Sequence, residues 1–401
     1  MIRRCFVFAF LTIVSSGVVA NDRPENIPES DLSKPLSGLD ALVRFNSTEK
    51  YLDKARSNDS ASDQLMSDCS SGLVRKCISH LKQNMRRIPA KLPDNPEYWR
   101  AFHDLVNGQA LELDLSPDAF SNPEKDRGTL IFAAQNWLYL SIAENGVSET
   151  TKQFVAYYAS VRRHLSESAS LGDRMIFVAL VGIAHSQSEV LMALNAAEDK
   201  LGGTRALARA LTPFTQQELS LRRVLEAEAL YLQAFIDNME KSELELASFA
   251  YNPNIPNGSV EELRQWAKTV GQLEWEKFTA FLGEVTERNW STYWGQGYSH
   301  LESEFPESEY VTLNEISTYK SYAESIRHAE VVIYPLLALS DIYLGRSASG
   351  LPGRAAPPYW NWSWRAETQE VCLVPTHVAP NTTDYSVESP ACMTYVSDTS
   401  N

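Results

Sequence analysis

The apolar residues of this chain recur mostly at helical spacing, and Gly, Pro and Asn separate the periodic stretches. The first apolar run is different, because Arg3 and Arg4 precede it and small residues follow it up to Ala20. This arrangement is typical of a secretory signal peptide, whose removal would make Asn21 the first residue of the mature chain. The alternative, an uncleaved membrane anchor, conflicts with a run shorter than the roughly 20 residues that span a bilayer.

The remaining pattern predicts an all-α fold, an irregular array of about nine helices that occupies residues 37–344 as a single domain. Residues 21–36 are polar and contain proline, so we expect them to be extended. Short connections that contain glycine favour antiparallel neighbouring helices. The predicted helices cover residues 37–56, 73–88, 95–107, 128–145, 148–170, 172–200, 215–241, 259–294 and 313–344.

The composition changes in residues 345–401, where Gly, Pro, Ser and Thr alternate with β-branched and aromatic residues. This change predicts an irregular, loop-rich tail with short strands that packs on the helical domain. The tail also contains two of the cysteines, so we expect a disulfide to hold it together.

Four cysteines remain after export, an even number in an oxidising compartment, and this predicts two disulfides. Three pairings are open. The simplest joins Cys69 to Cys77 and Cys372 to Cys392, because each bond then closes a short loop. No metal site is predicted, since none of the cysteine spacings is C-x-x-C.

The charge of the chain limits its partners. Residues 1–20 carry two arginines and no acidic residue, so export changes the net charge from −15 to −17. A chain this acidic repels phosphate groups, which argues against a nucleic-acid partner. After removal of the signal peptide, no transmembrane anchor is expected.

Two sets of polar residues on predicted helix faces are candidate catalytic groups. Glu228 falls within an apolar stripe of the 215–241 helix, where a carboxylate must be paired, hydrogen-bonded or protonated. His185 and Glu189 lie four residues apart on the 172–200 helix, near a face of small side chains, and could act as an acid–base pair. For both sets, a purely structural role in the core is the alternative.

The aromatic residues of the tail are a candidate binding surface. Trp360, Trp362 and Trp364 would project to one side of an extended strand, and Trp294 could add to the same surface. Flat aromatic faces suit a sugar ring or a peptide. The alternative is that the tail lays these rings over the helical body and closes the core.

No catalytic motif of the H-E-x-x-H, G-x-S-x-G or G-x-x-x-x-G-K-[ST] type occurs, and no cofactor is predicted. The sequence therefore favours an exported, non-catalytic envelope or binding protein of the periplasm or exterior. The alternative is an all-α glycan-active enzyme, a lyase or hydrolase, that uses Glu228 with His185 or Glu189.

One resemblance supports export. The segment that runs from Leu171-Gly-Asp-Arg-Met-Ile to Leu211-Thr-Pro-Phe-Thr-Gln-Gln-Glu-Leu-Ser-Leu-Arg-Arg-Val-Leu-Glu-Ala-Glu resembles exported helical proteins of Gram-negative bacteria that have no assigned function. The Cys69 and Cys77 pair is similar too, and the resemblance covers about half of the chain. It implies a helical periplasmic protein and carries no active residues over to this sequence.

Overall fold

A computed structural model describes most of the predicted helical region and part of the tail. The described residues are 38–49, 69, 74–84, 96–111, 127–220, 224, 259–262, 264–265, 313–347, 354–357, 360–376 and 390–396. The predicted signal peptide and the segment 21–36 lie outside them. So do two predicted site residues, Glu228 and Trp294.

The described part of the chain is mostly helical, as the sequence predicts, and a small sheet follows the last helix. The helices are α1 (Gly38–Glu49), α2 (Val74–Asn84), α3 (Pro96–Asn107), α4 (Gly128–Glu167), α5 (Leu171–Ala197), α6 (Leu201–Ala210), α7 (Gln216–Leu219) and α8 (Leu313–Tyr343). The strands are β1 (Trp360–Arg365), β2 (Glu370–Pro375) and β3 (Ala391–Thr394).

Helix α5 lies at the centre of the helical region, where it packs against α2, α4, α6 and α8. Ser170 begins it, because the hydroxyl oxygen of this N-cap residue accepts a hydrogen bond from the backbone N–H of Asp173. Among the described helices, α5 is the one long and apolar enough to cross a membrane, and 72% of its most apolar stretch is buried inside the structure. The apolar character of α5 therefore matches its surrounded position.

The C-terminal segment corrects the all-α prediction. Its three strands form an antiparallel sheet in the order β1-β2-β3, with β2 in the centre. Val371 and Leu373 of β2 are buried, as are Ala391 and Met393 of β3, and β2 and β3 both contact α8. The short strands expected in this region are therefore present, and they pair into a sheet, so the described structure is not purely α-helical.

The helix predicted over residues 215–241 is interrupted after its first turn, whereas Val224 is helical again and residues 221–223 and 225–241 lie outside the described residues. Thr215 caps a single turn, α7, that ends at Leu219, and Ser220 is extended with ψ at 128°. Arg174 explains the break, because its guanidinium donates to the carbonyl oxygens of Glu218 (3.4 Å) and Ser220 (2.7 Å). A continuing helix would need those two carbonyl groups for its own hydrogen bonds.

Two other differences concern glycines. Helix α6 contains Gly202 and Gly203 and was not among the predicted helices. The predicted helices 128–145 and 148–170 join into α4, which keeps a break at Gly146, where φ is 73° and ψ is 169°. Only glycine adopts this conformation readily, so the predicted glycine connection survives as a kink inside one helix.

The structure has the two local disulfides, Cys69–Cys77 and Cys372–Cys392. They are separated by 8 and 20 residues in sequence. Arg75, which lies inside the first disulfide loop, donates to the carbonyl oxygen of Thr368 (2.9 Å) and to Oε1 of Gln369 (3.0 Å) in the turn between β1 and β2. The first disulfide loop therefore contacts the turn before β2, although the two lie almost 300 residues apart in sequence.

Candidate functional site

His185 and Glu189 lie one turn apart on the central helix, and both side chains are sealed in the interior. Each residue is only 1% exposed. The hydrogen bonds of the two side chains lead to different partners, Tyr158 for His185 and Thr394 for Glu189. The structure thus brings the two residues near each other in one helix but gives each of them a separate role in packing.

The imidazole of His185 shares a hydrogen bond with the hydroxyl of Tyr158, with 3.0 Å between Nε2 and Oη. Its Nδ1 has no hydrogen-bond partner among the described residues. Burial, together with the charges of nearby Arg162 and His328, lowers the pKa of His185 to about 3. His185 is therefore neutral at physiological pH, and the ring acts as a buried polar group of the core.

The carboxylate of Glu189 connects the central helix to the sheet. Its Oε1 accepts a hydrogen bond of 2.6 Å from the backbone N–H of Thr394, the last residue of β3. A side chain of α8 also accepts a hydrogen bond from the backbone near β3. The hydroxyl oxygen of Tyr343 accepts it from the backbone N–H of Val396 at 3.0 Å. Side chains of two helices thus satisfy backbone donors at the edge of the sheet.

A buried polar cluster around Arg162 contains residues that the sequence analysis did not single out. The guanidinium of Arg162 binds the carboxylate of Glu218 through two hydrogen bonds of 2.5 and 2.6 Å. It also donates to the carbonyl oxygen of Thr212 at 2.6 Å and stacks at 4.8 Å over the ring of Phe214. This cluster joins α4 to the segment around α7.

Both members of the ion pair are charged. Burial alone would raise the pKa of Glu218, but hydrogen bonds from Arg162 and from the backbone N–H of Thr215 more than offset it and lower the pKa. Burial would also lower the pKa of Arg162, and the hydrogen bond to Glu218 reverses that effect. The capping-box pattern Thr215-x-x-Glu218 was the sequence signal for part of this site.

Two further sets of buried charged groups lie near the start of α5. They are Arg174 and the pair formed by Arg127 and Asp173. Arg174 is 1% exposed, and its Nε donates to the carbonyl oxygen of Ser168 at 3.0 Å. Asp173 is buried and pairs with Arg127 at the start of α4. These groups hold backbone segments together and point to structural rather than catalytic roles.

The three tryptophans of β1 share one side of the sheet but differ in exposure. Trp360 is buried, whereas Trp362 and Trp364 are half-buried and pack against the core. Trp362 donates from Nε1 to the carbonyl oxygen of Arg354 at 2.9 Å. Trp364 lies with its ring centre 6.5 Å from that of Tyr395. The rings thus cover part of the core and retain a partly exposed aromatic surface.

Comparison with known proteins found no matching family model, no similar curated protein and no similar solved structure. The resemblance to exported helical proteins therefore remains a prediction from the sequence.

Proposed function

We propose that this chain is an exported, non-catalytic binding protein of the periplasm or exterior, and that it binds a glycan through the aromatic side of β1. The observation that carries the proposal is the partial exposure of Trp362 and Trp364, beside a half-buried Tyr395, on one surface. We call this surface the aromatic patch. Aromatic faces bind the apolar faces of sugar rings, and the hydrogen bond from Trp362 to Arg354 fixes one ring in advance of binding.

Two further observations support the proposal. The disulfides Cys69–Cys77 and Cys372–Cys392 are typical of proteins in oxidising compartments, which fits export behind a signal peptide. His185 and Glu189 are sealed and serve as hydrogen-bonding groups of the core, so they do not favour the glycan-active enzyme.

The charge of the chain selects among glycans. An acidic protein repels a polyanion, so the proposed ligand is a neutral polysaccharide rather than an acidic one. Its affinity should then depend weakly on salt, because little of the binding energy is electrostatic.

The experiment measures binding of the exported protein to peptidoglycan and to neutral and acidic polysaccharides. We expect Trp362→Ala combined with Trp364→Ala to weaken binding at least tenfold, which is about 1.4 kcal/mol. Trp99→Ala is the matched control, because Trp99 is also half-buried against the core but lies on α3. Equal binding by the double variant and the control would remove the aromatic patch from the proposal.

The same samples test the alternative. Turnover of a glycan that is lost in Glu228→Gln would establish the enzyme and overturn the non-catalytic function. Binding of a Pro-rich peptide with no binding of any glycan would retain the aromatic patch and replace the proposed ligand.

A further inference from the structure

The register of the sheet brings three potential metal ligands together on one face. Glu370 and Cys372 are two residues apart on β2, so their side chains point to the same side of the strand. Cys392 of β3 lies directly opposite Cys372. The two sulfur atoms and a carboxylate oxygen of Glu370 all lie within 4.8 Å of one another.

Thiolates and carboxylates are ligands of Zn²⁺, with usual distances of about 2.3 Å for sulfur and about 2.0–2.2 Å for oxygen. The sulfurs of a disulfide cannot serve as thiolate ligands, so the site does not exist while the bond is closed. We propose that reduction of the Cys372–Cys392 disulfide creates a Zn²⁺ site in which Cys372, Cys392 and Glu370 are the three protein ligands. Three protein ligands leave the fourth tetrahedral position to water or to a ligand from outside the chain.

The surroundings of Glu370 fit this role. Its side chain is 25% exposed and lies 3.6 Å from the guanidinium of Arg365. The hydroxyl of Thr368 donates to Oε2 at 2.9 Å. Both contacts involve Oε2, so we assign Oε1 as the ligand oxygen, and the hydrogen bond to Oε2 orients the carboxylate in the way that outer partners orient metal ligands.

The other disulfide differs in two respects. Cys69 and Cys77 are 7% and 0% exposed, and Cys372 is 0% exposed as well, whereas Cys392 is half-buried and is the one position at which a reductant can approach this disulfide. Among the described residues, Glu370, Cys372 and Cys392 are the one group in which two cysteines lie close to a carboxylate that could also bind a metal. The inference therefore concerns the C-terminal disulfide alone.

A dithiol opens the bond in two exchange steps. One thiolate of the dithiol attacks Sγ of Cys392, the Cys372–Cys392 bond breaks, and the sulfur of Cys372 leaves as a thiolate. The second thiolate of the dithiol then attacks its own first sulfur in the mixed disulfide and releases Cys392 as a thiolate. The dithiol leaves oxidised, the chain has gained two electrons, and the two thiolates bind Zn²⁺ without a proton.

The test measures Zn²⁺ per chain in the exported protein before and after reduction, once the reductant has been removed. We expect the reduced wild type to bind one Zn²⁺ more than reduced Cys372→Ser/Cys392→Ser, since both proteins keep Cys69 and Cys77. The oxidised wild type should lack this extra ion. The proposal is overturned if the reduced wild type and the reduced double variant bind the same number of Zn²⁺ ions per chain. It is also overturned if the oxidised and the reduced wild type bind the same number.

A second pair of variants keeps the test valid if the double variant fails to fold. Glu370→Gln should weaken the binding of Zn²⁺ to the reduced protein at least tenfold. Glu367→Gln should leave the affinity unchanged, because Glu367 is exposed in the turn between β1 and β2. With Co²⁺ in place of Zn²⁺, the wild type should show a sulfur-to-metal charge-transfer band. Absence of this band, or equal affinity of the two Glu variants, would refute the three-ligand site.

Discussion

Arg162 and Glu218 lie side by side in the interior, joined by two hydrogen bonds of 2.5 and 2.6 Å although 56 residues separate them in sequence. The pair connects α4 to α7, and both side chains are at most 10% exposed. Removal of one partner leaves the other charge buried without its counter-ion. The pair is therefore a sensitive point of the fold.

Arg162→Met should lower the free energy of unfolding by about 3–5 kcal/mol, the usual cost of breaking a buried ion pair. Urea denaturation followed by circular dichroism measures this change. Lys152→Met is the control, because Lys152 pairs with Glu149 on the surface, where its side chain is 72% exposed. We expect the control to lose less than about 1 kcal/mol. Equal losses in the two variants would contradict the role assigned to the buried pair.

The stability of the protein should fall as the pH drops below about 6.5. Burial lowers the pKa of His185 to about 3 and that of His164 to about 4, so the unfolded chain binds more protons than the folded one at intermediate pH. The free energy of unfolding therefore rises with pH in this range. His185→Gln should flatten the slope measured by urea denaturation between pH 4 and 6.5.

His80→Gln is the control for that slope, because His80 is half-buried on the short helix α2. We expect the control to keep the slope of the wild type. If His185→Gln keeps it too, the buried imidazole does not govern the pH dependence.

Two neighbouring glycines of α6 should respond in opposite ways to alanine. At Gly203 a Cβ would overlap Oδ1 of Asn195, whose amide is held by hydrogen bonds to Thr151 (2.9 Å) and to the carbonyl of Leu191 (2.8 Å). At Gly202 a Cβ would meet nothing within 4 Å. Gly203→Ala should therefore destabilise by about 1–3 kcal/mol. Gly202→Ala should stabilise by about 0.5–1 kcal/mol. Thermal unfolding of both variants tests the pair, and equal melting temperatures would refute the predicted contrast.

Gly146 allows the kink in α4 by its backbone alone. A Cβ there would meet no atom within 4 Å, yet φ is 73°. Gly146→Ala should therefore cost about 1–3 kcal/mol through backbone strain and not through a clash. Gly182→Ala, with open space around an exposed position of α5, should instead be neutral or stabilising in the same urea titration. A neutral Gly146→Ala would show that the helix can straighten.

The elements that were predicted well are those fixed by local sequence. Helix α5 starts within one residue of its predicted start, because Ser170 caps it and a long apolar stretch follows. The two disulfides were the simplest pairing for the same reason, since each closes a short loop.

The elements that were missed depend on contacts over long distances in sequence. The apolar periodicity after Thr215 predicts one long helix, but Arg174 takes the carbonyl groups of Glu218 and Ser220 and the turn ends. His185 and Glu189 were a candidate acid–base pair, and the sequence could not show that their hydrogen bonds lead to Tyr158 and to Thr394, which are 27 and 205 residues away. Helical periodicity shows which face is buried but not which residue of another helix lies opposite.

The hydrogen bond from Thr394 to Glu189 also joins two parts of the chain that are synthesised at different times. The amide is synthesised 205 residues after the carboxylate. At a synthesis rate of about 5–20 residues per second, α5 exists for roughly 10–40 s before this donor is made. A chain that stops short of Thr394 therefore leaves a buried carboxylate without its partner from the sheet.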